Sequence, residues 1–217
     1  MKQLIFLNHN IVQSGLSEQA FAVYISLLDM INEADDQVYV SLAQIHLKLT
    51  GHTMMKRAER DGFLMGLDQL CDEKIISIVE PIGKSEFLVD VSPLKQRYEA
   101  HEYYDVVYLD EVRKIMNIND INNLLLLRYF CIAISTFDYQ HRIGADSRIM
   151  GSQTIDNLAK MCDIHIQSAA KYNRILEANE LLFMHHYHVK NKKDGGFKTI
   201  NSYCRYKNKE FIENLEE

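Results

Sequence analysis

Apolar residues in the first half of the chain recur at helical spacing over three stretches, LSEQAFAVYISLLDMINEADD, VSLAQIHLKL and FLMGLDQLCDEK. Each stretch predicts a helix with one apolar face, and Ser17 and Ser41 have the residue type and position of N-caps. The period then changes, because IISIVEPIGKSEFLVDV contains two β-rich runs around Pro81 and Gly83. That pattern predicts a hairpin, so three helices are followed by two strands.

The second half of the chain repeats that order of elements. INDINNLLLLRYFCIAISTF predicts a strongly apolar helix that begins near Asn119 or Asp120. SQTIDNLAKMC predicts a short helix capped by Ser152, and IQSAAKYNRILEAN predicts a third helix. LLFMHHYHV and FKTINSYCRY then predict two strands that flank the stretch KNKKDGG.

The two halves align at the end of the third helix. An offset of 106 residues superposes LDQLCDEKII on NRILEANELL and places Leu70 on Leu176 and Ile75 on Leu181. The matching order of elements indicates an internal duplication of one architecture.

The connector between the halves is predicted to be partly helical. It has the sequence SPLKQRYEAHEYY, in which Pro93 suits the first turn of a helix. We place the domain boundary at residue 102, which gives an N-terminal domain over 1–102 and a C-terminal domain over 103–217.

The net charge and its distribution along the chain bear on whether the protein can bind nucleic acid. The chain has 217 residues, of which 47% are hydrophobic, and a formal net charge of -6, so it has no general basic character. The charge is uneven, since 1–164 carry 15 Lys/Arg against 23 Asp/Glu, whereas 165–209 carry 9 against 3. One basic segment therefore lies within an acidic protein.

The cysteine and hydropathy patterns point to an intracellular setting. The four cysteines are far apart and show no CxxC spacing, so we expect reduced thiols rather than a disulfide framework. The first twelve residues do not resemble a signal peptide, and no stretch approaches the about 20 apolar residues that a membrane span requires. We expect a soluble cytoplasmic protein.

The basic segment begins with the pattern of a helix-turn-helix motif. The turn is predicted at 162–164, and Ala169 and Ala170 are small enough for the second helix to cross closely over the first. Ala170, Asn173 and Leu176 have the spacing of an inward face. Gln and Lys can bond base edges, Ser and Arg can bond bases or phosphates, and Tyr commonly bonds phosphate. The residues predicted to contact DNA from this helix are Gln167, Ser168, Lys171, Tyr172 and Arg174.

The predicted hairpin that follows has the character of a basic wing. Asp194 and Gly195 give a strong signal for a tight turn at its tip. A basic, glycine-tipped hairpin can lie on the phosphate backbone or in the minor groove. The lysines predicted to contact DNA from this wing are Lys190, Lys192, Lys193 and Lys198.

These residues together resemble a winged helix-turn-helix domain. QTIDNLAKMCDI followed by AAKYNRILEANELLFMHHY is similar to that family's helix, turn, recognition helix and entry to the wing. A degenerate copy precedes the domain, and this pairing resembles replication initiators and regulators of plasmids and phages of Gram-positive bacteria. The resemblance implies an α+β, mainly α fold with two winged-helix domains in tandem, each of three helices and a hairpin wing. Its motif-specific part covers 150–208.

The first copy departs from the family pattern. Its third helix, RDGFLMGLDQL, has Asp61, Gly62 and Asp68 where base-contacting residues are expected, and 1–92 carry 7 Lys/Arg against 13 Asp/Glu. Such a surface repels phosphate, so we expect the first domain to provide a partner or dimerisation surface. The stretch KLTGHTMMKRAER is an exception, and it offers a possible second DNA contact at Lys56, Arg57 and Arg60.

Metal and catalytic chemistry find little support in the sequence. His186 and His188 share one strand face, but two histidines do not complete a structural zinc site, so we expect no metal and no cofactor. Tyr139 and His141 faintly resemble residues of nicking enzymes, and a metal-dependent nickase is the weak enzymatic alternative. The chain contains neither GxxxxGK[ST] nor GxGxxG, and we expect no enzymatic activity.

The expected function is sequence-specific binding of double-stranded DNA, in transcription control or replication initiation of a mobile element. The expected partners are double-stranded DNA and, through the N-terminal domain, a second copy or a replication or transcription protein, with no membrane contact. The alternative is a protein-interaction module that is built on winged helices and does not read DNA directly.

Overall fold

The computed structural model describes residues 3–31, 34–99, 103–137, 149–190 and 197–213. It confirms the α+β class, with helices and three small antiparallel sheets. The chain forms two compact units, 1–128 and 129–217. No helix in the described part of the chain is long and apolar enough to cross a membrane.

The first unit contains two antiparallel sheets and the helices that pack on them. A two-stranded sheet pairs β1 with β5, and a three-stranded sheet has the order β2-β4-β3. In chain order the elements are β1 (Leu4–Asn8), α1 (His9–Val12), α2 (Glu18–Leu28), β2 (Gln37–Ser41), α3 (Leu42–Thr50), α4 (Arg57–Asp72), β3 (Ser77–Gly83), β4 (Glu86–Asp90), α5 (Ser92–Glu99), β5 (Tyr104–Tyr108), α6 (Leu109–Met116) and the beginning of α7 (Asn123–Ser135).

The second unit contains the remainder of α7 and one three-stranded sheet of order β6-β8-β7. Its further elements are β6 (Met150–Ser152), α8 (Ile155–Met161), α9 (Ile166–Ala178), β7 (Leu182–Lys190), β8 (Phe197–Arg205), a 3-10 turn (Tyr206–Asn208) and α10 (Lys209–Glu213). Both predicted hairpins are confirmed, since β3 pairs with β4 and β7 pairs with β8.

The two halves share one topology that includes a strand missed by the sequence pattern. A short strand after the first helix, β2 in one half and β6 in the other, pairs with the last strand of its sheet. This strand corrects one predicted cap, because Ser152 lies in β6 and Thr154 caps α8 by accepting a hydrogen bond from the amide of Asn157. The other predicted caps, Ser17 and Ser41, are confirmed.

The start of α7 also differs from the prediction. The helix begins at Asn123 rather than near residues 119–120, because Asp120 has a positive φ of 61° that is incompatible with a helical turn. The side chain of Asn122 instead accepts a hydrogen bond of 3.2 Å from the amide of Leu125, as an N-cap does.

The backbone confirms the internal alignment at an offset of 106 residues. Lys74 and Glu180, which are equivalent at that offset, both have a left-handed conformation, with φ values of 53° and 52°. Ile75 donates its amide to the carbonyl of Leu70 over 2.9 Å, and Leu181 donates to Leu176 over the same distance. These are the pairs that the sequence superposes. A left-handed residue other than glycine is uncommon, so its recurrence at aligned positions indicates a shared helix-ending motif.

The β1–β5 sheet pairs two strands that lie about a hundred residues apart in the sequence. Phe6 lies opposite Val106, and the flanking pairs Leu4–Tyr108 and Asn8–Tyr104 surround that centre symmetrically. The pairing places β5 on the first unit, which is inconsistent with a boundary at residue 102. The compact units divide the chain after residue 128. The predicted connector helix is present as α5 and ends before β5.

Helix α4 packs closely on α2 through two glycines. A Cβ atom placed on Gly66 would lie 2.8 Å from the backbone carbonyl of Gln19, a distance that real side chains do not tolerate. A Cβ atom on Gly62 would lie 3.3 Å from the flexible Cγ atom of the Gln19 side chain. Gly62 therefore belongs to the face that packs on α2, which corrects its predicted place on a ligand-facing surface.

We expect Gly66→Ala to destabilise the first unit and Gly62→Ala to leave it nearly unchanged. The first substitution forces two backbones apart, and overpacking of this kind costs about 1–3 kcal/mol. The second displaces only a mobile side chain, while alanine gains about 1 kcal/mol of helix propensity over glycine. Urea unfolding of the two variants beside the parent chain measures the difference. Equal stability of Gly66→Ala and Gly62→Ala would show that the close approach of α2 and α4 is not a constraint.

Candidate nucleic-acid interface

The second unit contains the two helices and the tight turn that the sequence predicts, as α8, a turn at 162–164 and α9. Helix α8 ends at Met161 with Cys162 as its C-cap, and Asp163 follows with a left-handed φ of 52°. The amide of Ile164 then donates to the carbonyl of Ala159 over 2.9 Å, which closes the turn. The ring nitrogen of His165 lies 3.3 Å from the amide of Gln167 and caps α9. The turn thus occupies 162–164, as predicted.

One face of α9 is buried and another is exposed to solvent. Ala169, Asn173 and Leu176 are buried, which confirms the predicted inward position of the last two. Gln167, Lys171 and Arg174 are exposed, and their spacing places them one turn apart along the helix. Two further positions are half-buried, Ser168 of the predicted contact set and Ala170 of the predicted inward face.

Tyr172 corrects the predicted contact set. Its side chain is buried, with 7% exposure, and its ring packs edge-on against Tyr129 with a centroid separation of 5.6 Å. Tyr172 follows the buried Ala169 by three residues and precedes the buried Leu176 by four, so helical spacing places it on their face. The tyrosine therefore contributes to the core under α9 and is not accessible to phosphate.

Asn173 joins α9 to the rest of the second unit through its buried amide. Its carbonyl oxygen accepts a 2.8 Å hydrogen bond from the hydroxyl of Tyr129 on α7. Its amide nitrogen lies 3.4 Å from the hydroxyl of Tyr203 on β8 and 3.5 Å from the sulfur of Met184 on β7. One side chain thus contacts a helix and both strands of the hairpin, and the sequence indicated only that it faces inward.

The two tyrosines stay neutral in this environment. Burial raises the pKa of the Tyr129 hydroxyl far above its usual value, and burial also raises the pKa of Tyr203. A neutral hydroxyl keeps its proton, so Tyr129 remains a donor to Asn173 throughout the physiological pH range. The hydrogen bonds then fix the rotation of α9 about its axis, which holds the opposite, exposed face in place.

The base of the hairpin continues this polar network toward solvent. The side chain of Asn201 hydrogen-bonds with Tyr203. Its carbonyl oxygen, Oδ1, lies 2.7 Å from Nδ1 of His186, a residue exposed to solvent. His186 thus contacts the opposite strand of the hairpin through a side-chain hydrogen bond.

The lysines of the hairpin are placed only in part. Lys190 is the last residue of β7, and Lys198 is the second residue of β8. The two strands pair from Leu182 opposite Arg205 at one end to Lys190 opposite Phe197 at the other. Lys192 and Lys193 lie outside the described residues, as does the turn predicted around Asp194 and Gly195. The loop that contains Tyr139 and His141 also lies outside them.

The basic cluster of the first unit lies at the beginning of α4. Lys56 is its N-cap residue, and the guanidinium groups of Arg57 and Arg60 lie 3.7 Å and 3.2 Å from the carboxylate of Asp61. These ion pairs offset part of the positive charge, although all three basic residues keep some exposure. A contact with phosphate from this cluster would compete with Asp61.

No family model matches the chain, and no curated protein matches it at a significant level.

We expect Asn173→Leu to destabilise the second unit by about 1–3 kcal/mol, because it leaves the buried Tyr129 hydroxyl without an acceptor. Leucine has a similar volume, so little of the loss arises from a cavity. Thermal unfolding of the full chain measures the change.

Tyr129→Phe combined with Asn173→Leu is the matched control. Removal of both partners leaves no unpaired polar group at this contact, so the double variant is expected to recover much of the lost stability. A double variant that is less stable than either single variant would contradict the role assigned to this hydrogen bond.

Proposed function

We propose that the protein is a sequence-specific double-stranded DNA-binding protein with two winged-helix domains in tandem. The observation that carries the proposal is the exposed stripe Gln167, Lys171 and Arg174 on the second helix of a helix-turn-helix. The stripe lies opposite a face that is fixed by Asn173, within the basic segment of an otherwise acidic chain. The topology supports the winged-helix part, since in each half three helices lead into a hairpin, and the last strand of that hairpin pairs with a short strand that follows the first of the three. These helices are α2, α3 and α4 in one half and α7, α8 and α9 in the other.

The chemistry of the stripe suits the major groove. An α-helix fits the width of that groove, and glutamine and lysine side chains can bond the edges of adenine and guanine. Arginine can bond guanine or a phosphate with two parallel hydrogen bonds. The fixed rotation of α9 favours such reading, because specificity requires donors and acceptors to meet base edges at a defined depth.

The basic hairpin supplies sequence-independent attraction in this proposal. Lys190 and Lys198 lie in the strands next to the tip, and Lys192 and Lys193 belong to the same segment of the sequence. Contacts of lysine with phosphate release counterions and strengthen binding to any duplex. The wing thus holds the domain on DNA while α9 reads the bases.

The biological role follows from the resemblance to initiators and regulators of plasmids and phages. We propose that the protein acts in transcription control or in replication initiation of a mobile element, and that the first unit provides a surface for a partner protein or a second copy. The rival function is an interaction module that does not read DNA, with the lysines of the wing only solvated. A gel shift with mixed-sequence duplex at rising salt separates the two, since only direct phosphate contact gives salt-dependent binding.

We expect Gln167→Ala and Lys171→Ala each to relax sequence preference at one or two base positions without loss of fold. A good contact with a base edge discriminates by about 1–3 kcal/mol, so preference changes together with affinity. Selection from a random duplex pool, performed with the parent chain and both variants, measures the preferred bases.

Lys160→Ala is the matched control, because it removes the same charge from α8, where Lys160 pairs with Asp156 over 2.6 Å. It is expected to leave the preferred bases unchanged. If all four proteins enrich one site with equal stringency, α9 does not read DNA, and the cluster at Lys56, Arg57 and Arg60 becomes the next candidate.

Replacement of Lys190, Lys192, Lys193 and Lys198 by alanine is expected to weaken binding to every duplex. Each lost phosphate contact reduces the slope of log affinity against log salt by about 0.9. Fluorescence anisotropy at several salt concentrations gives the slope, and the preferred site from random selection should not change. An unchanged slope would show that the wing does not touch the DNA backbone.

A further inference from the structure

Helix α4 exposes the positions that correspond to the exposed stripe of α9, but its side chains there are mainly acidic whereas those of α9 are polar or basic. At the offset of 106 residues that the helix ends share, four exposed positions of α9 have counterparts on α4. All of these positions are exposed in both helices. On α4 they are Asp61, Met65, Asp68 and Asp72, and on α9 they are Gln167, Lys171, Arg174 and Ala178. We refer to the four residues on α4 as the acidic stripe.

The acidic stripe has an apolar centre and carries its net charge toward the end of the helix. The side chain of Met65 is 70% exposed. Asp61 is paired with Arg57 and Arg60, whereas Asp68 and Asp72 have no ion pair within the part of the chain that the structure describes. Burial raises the pKa of the adjacent Cys71 thiol, and the charges of Asp68 and Asp72 raise it as well.

The acidic stripe lies on a rigid support. Phe63, Leu67 and Leu70 are buried on the opposite side of α4, and Gly66 brings the backbone of α4 against that of α2. A surface that is held in this way loses little conformational freedom when it is covered. Methionine adds a polarisable, adaptable side chain, which recurs at protein-binding surfaces.

We infer that the acidic stripe is a docking surface for a basic, amphipathic helical segment of a partner protein. The segment would place a large apolar side chain on Met65 and Lys or Arg side chains one turn to either side, opposite Asp61 and Asp68. Charge complementarity carries this choice, since the carboxylates of Asp68 and Asp72, which have no ion pair within the described residues, repel the DNA backbone and attract a basic protein.

A second copy of the chain is the less favoured occupant. Two acidic stripes repel one another, and two chains that each carry a net charge of -6 repel at long range. The inference deepens the partner role proposed for the first unit, and it stands apart from DNA reading by the second unit.

Two synthetic helical peptides of equal composition test the inference with the full-length chain. The first carries a leucine with lysines four positions before and three positions after it, on one helix face. The second contains the same residues in a scrambled order that separates the lysines from the leucine. Fluorescence anisotropy is expected to show that the patterned peptide binds about tenfold more tightly than the scrambled one, the ratio that corresponds to one well-placed apolar contact.

Variants of the chain locate the peptide on α4. Met65→Ala and Asp68→Asn are each expected to reduce the affinity of the chain for the patterned peptide about fivefold to tenfold. Thermal stability should not change, because both side chains are exposed. Glu80→Gln is the control, since it removes one negative charge from an exposed position on β3, and the affinity for the peptide should stay at the parent value.

Three results would overturn the inference. The first is equal binding of the two peptides, which would indicate attraction by net charge alone. The second is equal binding to the parent chain and Met65→Ala. The third is self-association of the chain in sedimentation runs that Asp68→Asn abolishes, which would make a second copy the occupant. Gel shifts of the same variants are expected to match the parent chain, so failure of this inference is distinguishable from failure of DNA binding.

Discussion

The buried amide of Asn173 determines which side of α9 meets solvent. It accepts from Tyr129 and lies within bonding distance of Tyr203, so α7, α9 and β8 share one polar centre inside an apolar core. Rotation of α9 by one residue would break these bonds and place Asn173 against apolar side chains, where an unpaired amide costs about 1–3 kcal/mol. Apolar packing alone tolerates small rotations, whereas directed hydrogen bonds do not. The exposure of Gln167 and Lys171 is thus a consequence of a contact on the far side of the helix.

Comparison of the two halves shows which features the shared backbone requires and which surface residues can differ. Both third helices end in the same left-handed residue and the same closing hydrogen bond, at Lys74 and at Glu180. Neither residue is a glycine, so the motif is retained in spite of a small conformational cost. The close helix contact in the first half relies on Gly66, while the equivalent position in the second half holds the buried Tyr172. The two halves therefore reach one topology by different packing, and their outward residues are free to differ in charge.

Local patterns predicted the helices and hairpins because the residues that determine each of these elements lie close together in the sequence. Periodicity identified α2, α4 and α9, and Asp163 with Ile164 marked the turn. The pattern missed β2 and β6, which are short strands whose partners lie far along the chain. It also misplaced Tyr172, since a residue at the edge of a helix face is buried or exposed according to the size of its neighbours in three dimensions. The β1–β5 pairing had no local signal at all, because only the register between distant segments defines it.

That pairing also constrains the order in which the chain can fold. The strand from Leu4 to Asn8 finds its partner only at Tyr104–Tyr108, so it emerges from the ribosome about a hundred residues before β5 exists. The elements between them are joined by short connections and can form first, since contacts close in sequence lose less chain entropy on closure. During that interval β1 lacks its sheet partner, and Leu4 and Phe6, which remain 46% and 50% exposed in the folded state, are available to other apolar surfaces. Emergence of β5 from the ribosome is therefore the point at which β1 gains its partner strand.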